Sequence, residues 1–285
     1  MARGTAIHIG VNQPASRRQD RLSLSEGYAW KMAELSHQAG YRAIHLLCGA
    51  EATRDAVHGL LSAAARALEP GHTLFVSFSG HGSQVPDANR DERDGLDETW
   101  CLYDADLLDD DLMDVWREAA AGSRVLVVSE SCFAGGMRLG QDVVHEHPPL
   151  PHRTVYRSGG PPMRGVQPYA HEVSSSCISR APLDDDGIKA SVLLMAGAGE
   201  GQRAREGLYL NHLLKIWNGG AFRESFCELH RRLCEAVRHE NSAQEPQIIM
   251  LGKPDPDFPL QTAFHLDVPV TRTGGAPVMR GVMRG

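Results

Sequence analysis

Two short stretches place reactive side chains directly after apolar, strand-like runs. The stretch 79–82 (SGHG) follows one such run, and the stretch 130–132 (ESC) follows another. A thiolate can attack a carbonyl carbon, and an imidazole can give a proton to the leaving amine. The pair therefore indicates nucleophilic acyl transfer, with Cys132 as the nucleophile and His81 as the general acid and base.

Small residues beside the pair fit the same chemistry. A glycine lets a substrate carbonyl approach the backbone closely, so the N–H groups of Gly82 and Cys132 are candidates for an oxyanion hole. Taken alone, Cys132 also fits a small buried apolar residue, and His81 fits a hydrogen-bonded core histidine. The glycines on either side of the histidine favour access to it.

The elements that must position these groups alternate between strands and helices. Apolar runs of strand length are separated by amphipathic segments of helical period, a pattern typical of a parallel sheet covered on both faces. We therefore predict an α/β fold with three α/β/α layers and a mostly parallel six-stranded sheet. Catalytic groups collect at the carboxyl edge of such a sheet, where both stretches end. The predicted strands lie within 5–12, 42–49, 72–82, 123–132, 190–199 and 246–252.

Composition excludes several classes of protein. The 29 Lys and Arg against 36 Asp and Glu give a net charge of −7, which argues against a nucleic-acid partner. No run of about 18 apolar residues is present, so we expect no membrane span, and no signal peptide is recognised. The scattered cysteines form no CxxC pair, which favours reduced thiols in the cytoplasm over disulfides or zinc. They are Cys48, Cys101, Cys132, Cys177, Cys227 and Cys234.

The two reactive stretches, with the sequence around them, resemble the p20-type region of bacterial metacaspases and orthocaspases. The resemblance rests on "FSGHGSQVPDANRDERDGLDETWCLYDADLLDDDL" and "VVSESCFAGG", with support from "EATRDAVHGLL", "GQRAREG" and "PQIIMLG". The histidine lies about 50 residues before the cysteine, a spacing found in caspases. The resemblance covers about residues 5–255 and implies a caspase-like fold and a cysteine endopeptidase.

The same resemblance divides the chain. It implies a single caspase-like domain over 1–265, made of a p20-like part (1–136) and a p10-like part (190–265). The stretch 137–189 is rich in Pro, Gly, Ser, His and Arg without a sustained period, and we predict a mobile activation loop there. The end of the chain, 266–285, is predicted to be a flexible tail.

By position, the resemblance makes His81 and Cys132 the catalytic dyad. Ser79 and Glu130, each two residues earlier, match residues of the S1 pocket, which accepts the P1 side chain before the scissile bond. A carboxylate there suits cleavage after Arg or Lys, although the family usually has Asp where this chain has Glu130.

A second acid of the family's S1 pocket falls on Tyr28 in this chain, and Glu26 lies close enough in sequence to compensate. Three arginines precede the first helix, roughly where caspases place an arginine for a P1 Asp, so an Asp-specific protease is the alternative. They are Arg17, Arg18 and Arg21. We favour a basic P1, because Glu130 would repel an aspartate.

Some metacaspases bind calcium at positions that match Asp97, Asp109 and Asp110. The alternative is a solvated acidic loop followed by a helix start. The family's further ligand falls on Leu139, which cannot coordinate a cation, whereas calcium needs six or more oxygen ligands. We therefore expect no required cofactor and leave calcium open.

The long loop after Cys132 implies a zymogen that is activated by cleavage within it. The candidate self-cleavage residues are Arg138, Arg164 and Arg180, and an upstream protease is the alternative activator. Protein or peptide substrates and a monomeric state follow from the resemblance. A non-catalytic scaffold with the caspase fold is the rival from another class; it would be expected to lack the His or the Cys, and both are present.

Overall fold

The central feature of the fold is one large sheet, accompanied by a small second sheet. The computed structural model describes residues 4–15, 21–88, 95–132, 179–180, 187–199, 202–253 and 255–266. The strands are β1 Gly4–Gly10, β2 Ala43–Cys48, β3 Thr73–Ser79, β4 Gly82–Pro86, β5 Leu96–Cys101, β6 Asp106–Leu108, β7 Arg124–Glu130, β8 Ser179–Arg180, β9 Ser191–Ala196 and β10 Gln247–Gly252. The helices are α1 Ser25–Ala39, α2 Arg54–Arg66, α3 Asp109–Arg117, α4 Leu208–Trp217 and α5 Phe226–Glu240.

The large sheet has the strand order β2-β1-β3-β7-β9-β10-β8. Strands β2, β1, β3, β7 and β9 pair in parallel, and β10 runs antiparallel to β9. The prediction of a mostly parallel sheet with six main strands is therefore confirmed. The two-residue strand β8 adds a short seventh strand beside β10.

Helices cover both faces of this sheet, as the strand–helix alternation predicts. On one face, α2 and α3 pack through residues such as Leu61 and Trp116 onto the apolar side chains of the strands. On the other face, α1, α4 and α5 pack through residues such as Met32, Leu213 and Leu233. The three α/β/α layers are confirmed, and the strand ends between the two helical layers form the edge where the reactive residues lie.

Local signals in the sequence mark several helix ends. The hydroxyl oxygen of Thr53, a predicted cap, accepts the N–H of Ala56 at 3.3 Å at the start of α2. Helix α1 ends at Gly40, which has a φ of 103°, a left-handed value that favours glycine. These signals need no tertiary contact, which is why the sequence predicts them.

Two parts of the fold were not predicted. The small antiparallel sheet β4-β5-β6 follows His81 directly, and its strands are too short and polar to stand out in the sequence. It is held to the large sheet by Trp100, whose ring stacks on Phe78 with centroids 4.6 Å apart. Helix α4 was also missed, although its buried Leu208, Tyr209, Leu213 and Trp217 follow a helical spacing.

The boundaries of the irregular segments differ slightly from the prediction. Ile188, placed in the predicted mobile loop, is buried in the core below α3, and Leu266, placed in the predicted tail, donates its N–H to the carbonyl of Ala39. The remainder of the loop, apart from 179–180, 187 and 189, and the remainder of the tail lie outside the described residues. None of the helices in the described ranges has the length and hydropathy needed to cross a bilayer.

A histidine lies at the centre of the sheet, far from the predicted catalytic residues. His8 on β1 is fully buried, with Nδ1 2.7 Å from the hydroxyl of Ser77 and Nε2 2.8 Å from that of Ser36. Burial lowers the pKa of His8 to about 3. The imidazole is therefore neutral in the folded protein and joins α1 to β1 and β3.

Acid should destabilise the protein through this residue. An unfolded histidine takes up a proton below about pH 6.5, whereas folded His8 resists protonation until about pH 3, so stability falls as the pH drops. Between pH 7.5 and pH 5, the wild type should lose about 2 kcal/mol more unfolding free energy than His8→Asn. Urea denaturation of both proteins at the two pH values measures this difference, and equal losses would contradict it.

Candidate active site

The parallel pairing of β3 with β7 brings the two reactive stretches to one edge. Ser79 pairs with Glu130 at the carboxyl ends of the two strands. The N–H of Gly80 donates to the carbonyl of Glu130 at 3.3 Å. His81 and Cys132 each follow this pair by two residues, so both leave adjacent strands at the same edge of the sheet.

The small sheet fixes the backbone of His81. The carbonyl of His81 accepts the N–H of Cys101 on β5 at 2.9 Å, and β4 begins at the next residue, Gly82. His81 is half-buried. The histidine is thus held between the last residue of the large sheet and the first strand of the small one.

Gly82 lies directly against the nucleophile's backbone. A Cβ at position 82 would overlap the carbonyl oxygen of Cys132 and lie 3.1 Å from the Cβ of Ser131. Only a residue without a side chain fits there. From the sequence, we expected this glycine to open the backbone for a substrate; the structure shows that it also permits the close approach of the His81 and Cys132 segments.

A further segment passes beside the thiol. The Sγ of half-buried Cys132 is 3.9 Å from the carbonyl oxygen of Ala204, within reach of an S–H···O contact. The stretch 202–207, in which Ala204 lies, is called the cleft segment below.

Two glutamines hold the start of the cleft segment. The side-chain oxygen of Gln202 accepts the N–H groups of Gly199 and Glu245, each at 3.0 Å. Gln244, buried to 1% exposure, accepts the N–H of Arg205 at 2.9 Å and donates to the carbonyl of Gly197 at 2.7 Å. The segment is therefore tied to the ends of β9 and β10.

The carboxylate of Glu130 accepts hydrogen bonds from the protein backbone. Only 3% of Glu130 is exposed, and its oxygens accept the N–H groups of Gly207, Tyr209 and Leu210 at 3.2, 2.8 and 3.1 Å. These are donors at the first turn of α4, where a negative charge is favourable. The predicted pocket residue thus caps the unpredicted helix, two residues before Cys132.

The environment of Glu130 favours its protonated form. The pKa of this carboxyl is raised to about 7, mainly by burial and to a smaller extent by the charge of Glu206, although the three N–H donors lower it. Near neutral pH, the protonated and ionised forms of Glu130 are therefore both populated.

Tyr28 lies in the same neighbourhood. Its hydroxyl donates to the carbonyl of Gly207 at 3.2 Å, and its pKa is raised by burial and by the charges of Glu130 and Glu206. Gly207 has a φ of 75°, and a Cβ there would lie 2.8 Å from the Tyr28 hydroxyl. The structure thus places Tyr28 beside Glu130, as the S1 prediction requires, while the S1 role itself stays a prediction.

Glu26 has different neighbours. Its carboxylate accepts the N–H of Asn12 at 3.3 Å, and its own N–H donates to the Asn12 side chain at 3.2 Å. It also lies beside Cys48, whose pKa is raised to about 12 by burial and then by Glu26 and Glu51. These contacts are at the ends of β1 and β2. That Glu26 supplies the S1 carboxylate missing at position 28 stays a prediction.

The candidate calcium residues lie around the small sheet. Asp97 and Asp109 are buried, and Asp110 is in the first turn of α3. In the described ranges, no group of three or more His, Cys, Asp and Glu side chains has an arrangement that could hold a metal ion. The structure therefore gives calcium no support from these three residues, and the ion enters no step below.

Several predicted residues fall where the structure describes little or nothing. Arg138, Arg164, Arg17 and Arg18 lie outside the described residues. The backbone of Arg180 lies in β8 and pairs with Met250 of β10. The self-cleavage candidates therefore stay predictions.

All cysteines in the described part of the chain carry free thiols: Cys48, Cys101, Cys132, Cys227 and Cys234.

Part of the chain that includes both reactive stretches is similar in sequence to known metacaspases. Residues 26–139 match the family profile "Metacaspase, peptidase C14 domain". Metacaspase-7 of Arabidopsis thaliana is 38% identical over 81 residues, which cover 27% of this chain and 20% of that protein. Metacaspase-1 of Cryptococcus neoformans is 37% identical over 87 residues, which cover 28% and 18%. The chain thus matches about a fifth of the length of these relatives.

Solved structures extend the likeness over the whole fold. The crystal structure of a protein from Geobacter sulfurreducens is 28% identical with a TM-score of 0.66, covering 93% of this chain and 99% of that one. Caspase-1 of Spodoptera frugiperda shares the fold at 12% identity and a TM-score of 0.53, covering 89% and 91%. The chain therefore has a caspase-like α/β fold. Within it, residues 26–139 are similar in sequence to the metacaspase peptidase domain.

Gly82 offers a test of the close approach between the two segments. Gly82→Ala should lower the unfolding free energy by about 2 kcal/mol or more, because the added methyl meets backbone atoms that cannot rotate away. The matched control is Gly59→Ala in α2, where a Cβ meets nothing within 4 Å. That change should stabilise the protein by about 1 kcal/mol. Denaturant unfolding measures both, and a neutral Gly82→Ala would contradict the contact.

Proposed function

We propose that the protein is a cysteine endopeptidase that cleaves protein or peptide substrates with a Cys132–His81 dyad. The observation that carries the proposal is the register of β3 and β7, which brings both residues to one edge of the sheet. The match of residues 26–139 to the metacaspase peptidase profile supports the reaction class. The contact between Gly82 and the Cys132 backbone supports the juxtaposition.

In the proposed reaction, His81 takes the proton of the Cys132 thiol, and the resulting thiolate attacks the scissile carbonyl carbon. The carbonyl oxygen becomes an oxyanion, which the N–H groups of Gly82 and Cys132 stabilise. The C–N bond then breaks, and His81 gives its proton to the leaving amine. A water molecule, deprotonated by His81, hydrolyses the thioester and returns the free thiol.

For the P1 side chain, we propose Arg or Lys. Glu130, Glu206 and the hydroxyl of Tyr28 lie together beside the cleft segment, and the two glutamates make this neighbourhood negative above about neutral pH. Because the oxygens of Glu130 already accept three N–H groups, it would act on a cation through its field, and Ser79 would line the same wall.

We further propose that the enzyme is made as a zymogen and activated by cleavage in the loop after Cys132, either by itself or by an upstream protease. A monomeric state and a cytoplasmic location are proposed on the sequence alone. Net charge argues against a nucleic-acid partner.

A panel of fluorogenic peptides that end in Arg, Lys or Asp tests the activity and its specificity. Arg and Lys peptides should be hydrolysed and Asp peptides should not, because the negative pocket repels an anion. Cys132→Ala and His81→Ala should each lower kcat/KM at least about a thousandfold.

The panel also separates the rivals. Hydrolysis of Asp peptides alone would favour the Asp-specific protease. No hydrolysis of any peptide, before or after limited cleavage by trypsin, would favour a non-catalytic scaffold. Activity that survives in Cys132→Ala would remove Cys132 as the nucleophile.

Self-processing is tested by incubating the purified protein and sequencing the new N-termini. Cleavage after Arg164 is expected first, since it lies in a Met-Arg-Gly-Val stretch that recurs at 279–282, and Arg138 and Arg180 are the other candidates. Arg164→Gln should abolish that fragment. Fragments that persist in Cys132→Ala, or that are absent from the wild type, would contradict self-processing.

A further inference from the structure

Glu206 makes contacts that join two distant parts of the chain next to the candidate active site. Its Oε1 accepts the N–H groups of Ser23 and Leu24, both at 2.6 Å, and its Oε2 is 3.5 Å from the Ser23 hydroxyl. The two donors lie immediately before α1, more than 180 residues away in sequence. Short N–H···O⁻ bonds of this kind are about twice as strong as neutral ones.

This carboxylate lies two residues after Ala204, whose carbonyl faces the sulfur of Cys132. Two other hydrogen-bonding side chains hold the cleft segment to the ends of β9 and β10. Gln202 of the segment binds Gly199 and Glu245, and Gln244 binds Arg205 of the segment. Glu206 holds it to the α1 side instead. The cleft segment therefore spans the edge of the sheet between anchors on both sides of the nucleophile.

The exposure pattern agrees with a segment fixed on its inner face. Gln202, Ala204 and Glu206 are half-buried, whereas Arg203 and Arg205 are exposed. Such alternation is typical of extended backbone, in which successive side chains point to opposite sides. The next residue, Gly207, is buried and bonded to both Glu130 and Tyr28.

We propose that Glu206 is a positioning residue: by binding the N–H groups of Ser23 and Leu24, it fixes the cleft segment as the wall beside Cys132 against which a peptide substrate is aligned. This role rests on the proposed peptidase function. Glu206 touches neither the reacting thiol nor the imidazole in the described contacts, so it is a positioning residue that acts through the segment that it holds, in addition to the negative charge that it gives to the proposed P1 site.

The test compares Glu206→Ala with the wild type in three measurements, two of which need no proteolysis. Amide hydrogen exchange at Ser23 and Leu24 should become roughly tenfold faster when the acceptor is removed. Alkylation of Cys132 by iodoacetamide, followed residue by residue with mass spectrometry, should accelerate severalfold because Ala204 no longer stays beside the sulfur. On the peptide that the wild type cleaves best, kcat/KM should fall roughly tenfold or more.

Two further variants keep the test decisive. Glu206→Gln keeps the shape and one acceptor oxygen, so it should fold and shift all three measurements in the same direction by a smaller factor. Glu118→Ala is the matched control on the opposite face of the sheet, where the carboxylate binds Arg66 at 2.8 and 3.0 Å. It should leave all three measurements unchanged.

The outcomes separate this proposal from the proposed function. Faster exchange and faster alkylation, with no wild-type proteolysis before or after limited cleavage by trypsin, would support the fixing role of Glu206 and overturn the peptidase. Normal proteolysis with unchanged exchange and alkylation in Glu206→Ala would overturn the role of Glu206 alone. Equal changes in Glu118→Ala would also overturn it, because they would reflect a general loss of stability.

Discussion

The parallel pairing of β3 with β7 is the constraint on which the rest of the site depends. Parallel strands in register end at the same edge, so the pairing of Ser79 with Glu130 brings the segments that carry His81 and Cys132 to one edge of the sheet. Two further features hold the segments that follow these strand ends. The small sheet holds the carbonyl of His81, and the absence of a side chain at Gly82 lets the two backbones touch.

Two carboxylates, on buried Glu130 and half-buried Glu206, bind N–H groups of remote segments at the same edge. Glu130 accepts three N–H groups at the start of α4, and Glu206 accepts two before α1. Glu130 pairs N–H groups at the start of α4 that have no partner within the helix, whereas Glu206 binds the two residues that lead into α1. The start of α1, the start of α4 and the end of β7 are thus joined through hydrogen bonds beside Cys132.

The sequence predicted what depends on local pattern or on neighbouring strands. Strand-length apolar runs, the Thr53 cap and the stop at Gly40 identify elements without tertiary information, and two strands that end in His and Cys stretches locate the site. The interactions of Glu130 were not predictable, because the N–H groups that it accepts lie 77 to 80 residues away. Glu206 was missed for the same reason: a carboxylate in an irregular stretch carries no periodic signal. The small sheet was missed because its strands are short and polar, and only the stacking of Trp100 on Phe78 reveals why it is stable.

The central claim is that the imidazole of His81 acts on the thiol of Cys132 across the two strand ends. The most direct measurement is the rate of iodoacetamide alkylation of Cys132 at pH 7, compared between the wild type and His81→Ala. Since the thiolate is the reactive species, a neighbouring imidazole that accepts the proton should make the wild type react about tenfold faster or more. The half-buried Cys48, whose pKa is raised to about 12 by burial and by Glu26 and Glu51, should react slowly and equally in both proteins. Equal rates at Cys132 would contradict the account.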